Sequence, residues 1–175
     1  MWRFLSLTII LWYGGLPSAL AIENLHFHGS LVAKPCVIKP GNELIQLHFG
    51  TISEKYIYLN QRTHSQPFSI HLTKCNLNRA SLVRVSFTGL ESLASPGKLS
   101  LDPTSSASGI VIGIEDNAGN LIELNKKPLS SYPIKEGDMS IDLQAYVEGE
   151  PKAISQKNIV PGQFNSTVVF NLNYE

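Results

Sequence analysis

His26 and His28, one residue apart, are the nearest approach to a reactive cluster in this 175-residue chain. On an extended strand, residues two apart face the same way. Both imidazoles could then ligate one metal ion, with His48, His64 or His71 as a third ligand. The competing assignment puts both on the solvent face of a strand whose other face carries Leu25 and Phe27. Glu115 and Asp116 form the one adjacent acidic pair. Neighbours on a strand point to opposite faces, so the pair is a poor acid–base dyad. Both are expected as solvated charges leading into a turn at Asn117. No serine stands in G-x-S-x-G and no glycine-rich phosphate loop occurs, so neither an enzyme nor a cofactor is expected. Lys and Arg total 14 and Asp and Glu total 14. A chain without net charge is not a general nucleic-acid binder, which needs a basic excess to displace counterions.

The other chemistry-bearing residues are Cys36 and Cys75, the only cysteines. They follow a leader-like segment. Arg3 supplies a basic start, Phe4 to Trp12 an apolar core, Gly14, Gly15 and Pro17 a break, and Ala19-Leu20-Ala21 the small residues a signal peptidase reads. That core is about half of the ~20 residues that cross a bilayer as a helix. Residues 1–21 are therefore expected to be a signal peptide, cut between Ala21 and Ile22. Export with an even cysteine count favours a disulfide. Two buried thiols or a redox site are the alternatives, and C-x-x-C spacing is missing. A bond over this span would contribute about 4 kcal/mol in the chain-entropy picture.

The elements that carry these residues alternate with period two. Leu25, Phe27, Gly29 and Leu31 alternate with polar neighbours, as do Phe68, Ile70 and Leu72. Val83, Val85 and Phe87 follow, then Ile110, Ile112 and Ile114, then Ile141, Leu143, Ala145 and Val147. The last run is Phe164, Ser166, Val168, Phe170, Leu172 and Tyr174. Turn residues separate the runs at 39–42, 95–97, 117–120 and 161–162. Residues 124–139, with Pro128 and Pro133, are expected as a loop with at most a short strand. Helical periodicity does not recur. With 43% apolar and only 16% charged residues, the chain is an all-β globular protein, and a two-sheet immunoglobulin-like sandwich is the simplest fit. Asn165-Ser166-Thr167 matches a glycosylation sequon inside a strand-like run and is read as chance. A self-contained periplasmic sandwich that binds a ligand or metal through His26 and His28 is the alternative function.

Four segments, in this order, resemble subunits of chaperone–usher fimbriae of the type 1 and P-pilus kind. They are residues 27–38 (FHGSLVAKPCVI), 68–75 (FSIHLTKC), 109–116 (GIVIGIED) and the terminal run, where Gly162 is fourteenth from the end and Tyr174 penultimate. The resemblance implies an incomplete immunoglobulin-like sandwich, the pilin fold, with an N-terminal donor-strand extension (22–32), a pilin domain (33–175) and one disulfide, Cys36–Cys75, joining the first two strands. A periplasmic pilus chaperone would lend the missing strand, an outer-membrane usher would receive the subunit, and another pilin subunit's extension would replace the lent strand. Leu25, Phe27, Gly29 and Leu31 would be the donated face, with Gly29 matching the family's groove glycine. Gly162, Phe164, Val168, Phe170, Leu172 and Tyr174 would line the accepting edge, and basic chaperone residues would hold the Glu175 carboxylate. Ser166 stands where the alternation allows a larger apolar residue. The implied function is a structural subunit of an adhesive fimbrium on the bacterial surface, to which a host receptor matters only indirectly. A donor-like strand of its own and no room for an added lectin domain favour a minor or adaptor-type pilin over a tip adhesin.

Both tryptophans, Trp2 and Trp12, precede the expected cut. The exported protein is expected to begin at Ile22 by N-terminal sequencing and to lack indole fluorescence. A Trp signal in the exported chain would place the cut elsewhere.

Overall fold

A computed structural model of the chain describes residues 34–127 and 130–175. The expected cut at Ala21/Ile22, the His26/His28 pair and the donor run Leu25–Leu31 lie outside the described residues. The described residues form seven strands: β1 (Val37–Ile38), β2 (Gln66–Cys75), β3 (Leu82–Gly89), β4 (Ile110–Asp116), β5 (Ser131–Pro133), β6 (Gly137–Gly149) and β7 (Val168–Tyr174). Antiparallel pairing arranges them as a four-stranded sheet, β1-β2-β6-β4, and a three-stranded sheet, β5-β3-β7. The alternating runs read from residue 68 onward fall in these strands, except that the last begins before β7: Phe164 and Ser166 precede Val168. The loop expected at 124–139 contains the three-residue β5, and β6 begins at its end.

Period-two alternation puts Ile70 and Leu72 of β2, Val83 of β3 and Ile141, Leu143 and Val147 of β6 between the sheets, where they are wholly buried. The disulfide Cys36–Cys75 ties the start of β1 to the end of β2 and is itself buried. Two short helices interrupt the β pattern: α1 (Glu54–Asn60), with Ile57 buried, and α2 (Pro151–Gln156), with Ala153 buried. Neither was expected. Elements of seven and six residues are too short to declare a 3.6-residue period. Their local signals were an acidic first turn at Glu54 and Pro151 at the first helical position.

The acidic pair departs from expectation in half. Asp116 does lead into the turn, where its carboxylate accepts from the Ala118 and Asn120 N–H groups and the Asn120 amide. Burial would raise its pKa, but these bonds and Ser130 outweigh it and hold the group below the usual range. Glu115 is no solvated charge: it is buried on the outer side of the four-stranded sheet. Arg62, just beyond α1, reaches it with both terminal nitrogens, at 3.1 and 3.0 Å, and the Ser65 hydroxyl also donates to it. The Arg62 guanidinium carbon lies 3.5 Å from the centre of the Tyr146 ring. Gly113 makes room, because a Cβ there would overlap that ring. A buried carboxylate persists only when paired, and Arg62 supplies the pairing.

Arg62→Ala would strand Glu115, whose side chain is 5% exposed, without a counter-charge. The expected loss is about 2–3 kcal/mol, at the low end for a broken buried pair because Arg62 is itself 39% exposed. Urea midpoints of Arg62→Ala and of Arg62→Ala with Glu115→Gln check it, and the second change should recover most of the loss.

Candidate functional site: an open edge and its groove

The C-terminal run is built from the residue pattern outward. From Phe164 to Glu175 burial alternates without a break: Phe164, Ser166, Val168, Phe170, Leu172 and Tyr174 are half-buried and their neighbours exposed. The first part is an extended segment stitched to 100–108. Ser106 and Ala107 N–H groups donate to the Gln163 carbonyl at 2.9 and 3.1 Å, and Asp102 N–H donates to that of Asn165 at 2.8 Å. Gly162 permits this approach, since a Cβ there would sit 2.8 Å from the Ala107 nitrogen. Ser166 turns its hydroxyl onto the Ser100 carbonyl at 2.5 Å. A polar residue on the apolar face is thus satisfied within the chain, which explains the gap in the alternation.

From Val168 the run becomes β7, which pairs along its length with β3, Val83 to Gly89. On its other side it has no strand neighbour among the described residues. Its inward side chains face the core yet none is fully buried. Beside them runs a groove of about 1170 Å³. The extended segment 43–52 and the run 159–170 supply the walls, and Phe87, Ile112, Ile114 and Val147 reach into it from the sheets. Of the expected acceptor residues, Gly162, Phe164, Val168 and Phe170 line it, together with Ser166. Leu172 and Tyr174 continue the same face past the cavity and pack on the core. Burial pushes the Tyr174 hydroxyl pKa up, so it stays neutral, as an apolar wall requires. Glu175 ends the strand: its carbonyl accepts from Ser81 and Leu82 N–H groups at 2.8 and 3.0 Å, and its side chain pairs with Arg84 at 3.0 Å.

Segment 43–52 was missed in the sequence. Its alternation, Ile45, Leu47 and Phe49 against Gln46 and His48, was the available signal. The remaining histidines do not converge: among the described residues no group of three or more His, Cys, Asp or Glu is placed to hold a metal. His64 lies 6.3 Å from the Tyr56 ring instead.

A family profile described as Fimbrial protein matches residues 25–175. The chain belongs to the fimbrial protein family. This fimbrial chain is 29% identical over 163 residues to the Major MR/P fimbria protein of Proteus mirabilis, covering 90% of this chain and 89% of that one. It is 27% identical over 174 residues to the Fimbrial adapter PapK of Escherichia coli, covering 94% and 96%. Its fold resembles the P pilus rod subunit PapA with a TM-score of 0.71 at 19% identity, over 81% of this chain and all of that one.

Gly162→Ala would force a Cβ into the 106–107 backbone, and Ser166→Ala would leave a half-buried carbonyl unpaired. Chemical denaturation is expected to show losses of about 1–3 kcal/mol for the first and about 1 kcal/mol for the second.

Proposed function

We propose that the fimbrial chain is a structural, non-enzymatic subunit of a surface fimbrium, completed by a strand from another polypeptide. The observation that carries this is β7: a row of large apolar side chains, half-buried along a groove, on a strand paired on one side only among the described residues. An extended segment with apolar residues at alternate positions would meet both needs at once. Its backbone would pair with the free edge of β7 and its side chains would fill the groove. Residues 22–32 of a neighbouring subunit have that pattern, and Leu25, Phe27 and Leu31 would contribute roughly 5–9 kcal/mol gross on burial. Ordering the extension offsets part of this. Gly29, without a side chain, would fit a narrow part of the neighbour's groove. Donor and acceptor surfaces differ, so the contact runs head to tail and propagates as a fibre.

In the same reading residues 1–21 direct export, 22–32 donate and 33–175 accept. A periplasmic chaperone fills the groove before assembly, and an outer-membrane usher receives the complex. His26 and His28 would then lie on the outward face of the donated strand.

Attaching a second copy of residues 22–32 after Glu175 through a short flexible linker supplies the missing strand within one chain. The melting temperature is expected to rise by at least about 10 °C. Gly29→Leu in the added copy should cancel most of the gain. An unchanged melting temperature would argue against an acceptor groove.

A further inference from the structure

Residues 43–49 differ from the other extended runs that face the core. They alternate as a strand does, with Ile45, Leu47 and Phe49 half-buried on the core and Gln46 and His48 exposed. Yet none of their backbone groups bonds to the backbone of another described residue. The segment is bracketed by two glycines in the left-handed region, Gly41 at φ 88° and Gly50 at φ 66°, and a Cβ at either would meet nothing within 4 Å. Open space around both leaves room for the backbone to turn there. Among the described residues a specific contact spans the groove: the Phe49 ring faces Phe164 of the opposite wall, centroids 6.3 Å apart and planes tilted 35°. That geometry lies within the range of a favourable aromatic pair.

A wall held by side chains and not by a hydrogen-bond ladder opens at low cost. We propose that residues 43–49 are a strap pivoting at Gly41 and Gly50, that the Phe49–Phe164 pair is its latch, and that the latch sets how fast an extended strand enters the groove. This rests on the acceptor reading above. The strand must part the two rings to reach the floor. Once in, it offers the strap backbone partners that it does not have among the described residues, so the same segment that resists entry then holds the strand on a second side. Phe49 is a positioning residue: it acts through the wall it holds.

The test uses the purified full chain at submicromolar concentration with a large excess of a fluorescein-labelled peptide of residues 22–32, followed by anisotropy. Phe49→Ala is expected to capture the peptide about three- to tenfold faster than the unsubstituted chain, the range that loss of one aromatic pair gives. Phe49→Leu should fall between, and Leu93→Ala, at a fully exposed loop position, should match the unsubstituted chain. Capture by Phe49→Ala at the unsubstituted rate, or slower, overturns the latch while leaving the acceptor groove standing. No capture by the unsubstituted chain removes the groove reading and the strap with it. If Phe49→Ala does not fold, amide exchange of the unsubstituted chain decides. Residues 44–49 exchanging at least about tenfold faster than β6 support the strap, and equal protection overturns it.

Discussion

One constraint organises this molecule: a strand that covers an apolar core must have its backbone bonded and its side chains covered, and among the described residues β7 meets both demands on one side only. Its pairing with β3 is complete from Val168 to Tyr174. Its other edge faces the groove, where Phe164, Val168 and Phe170 remain half-buried. In the four-stranded sheet, β2 and β6 by contrast bury Ile70, Leu72, Ile141 and Leu143 completely. The same kind of residue in the same alternation thus reaches two degrees of burial. Among the described residues β7 has a strand neighbour on one side only, and an open edge of this kind is a template for another chain.

The rest of the fold holds that edge in place from behind. Gly162 lets the run lie against Ser106 and Ala107, Ser166 anchors it to Ser100, and the Glu175 carbonyl closes its end on Ser81 and Leu82. The run is therefore fixed at both ends and along β3, while its other edge has no strand neighbour among the described residues. On the far side of the four-stranded sheet, Arg62, Glu115 and Tyr146 form a second fixed point. It fastens the chain just after α1, the helix that follows the other wall of the groove. Of the two walls, one is stitched by backbone bonds while the other, among the described residues, makes apolar contacts without backbone bonds over 43–49, and that asymmetry is the basis of the strap.

A subunit built this way is specialised by what it leaves undone. Among the described residues the histidines are scattered, and the acidic pair is split between a turn and a buried ion pair. What remains unspent among those residues is backbone hydrogen bonding and apolar surface, which suit a structural contact. Membership of the fimbrial family accords with that chemistry.

Much of this was written in the residue order. Alternation alone located β2, β3, β4, β6 and β7, because a strand with one buried face repeats every two residues whatever its neighbours are. The cysteine pair announced its bond, and glycine and asparagine announced the turns. Three things were not legible. The helices α1 and α2 are shorter than two full periods. Glu115 looked like a surface charge because its partner Arg62 is distant in the chain, and only folding brings the two together. Segment 43–52 carries a strand's pattern without a strand's partners, and pattern cannot report a missing neighbour. The sequence by itself determined which residues face the core, since that is a property of local geometry. Which of those faces end up covered depends on what stands opposite them, and only the tertiary structure decided that.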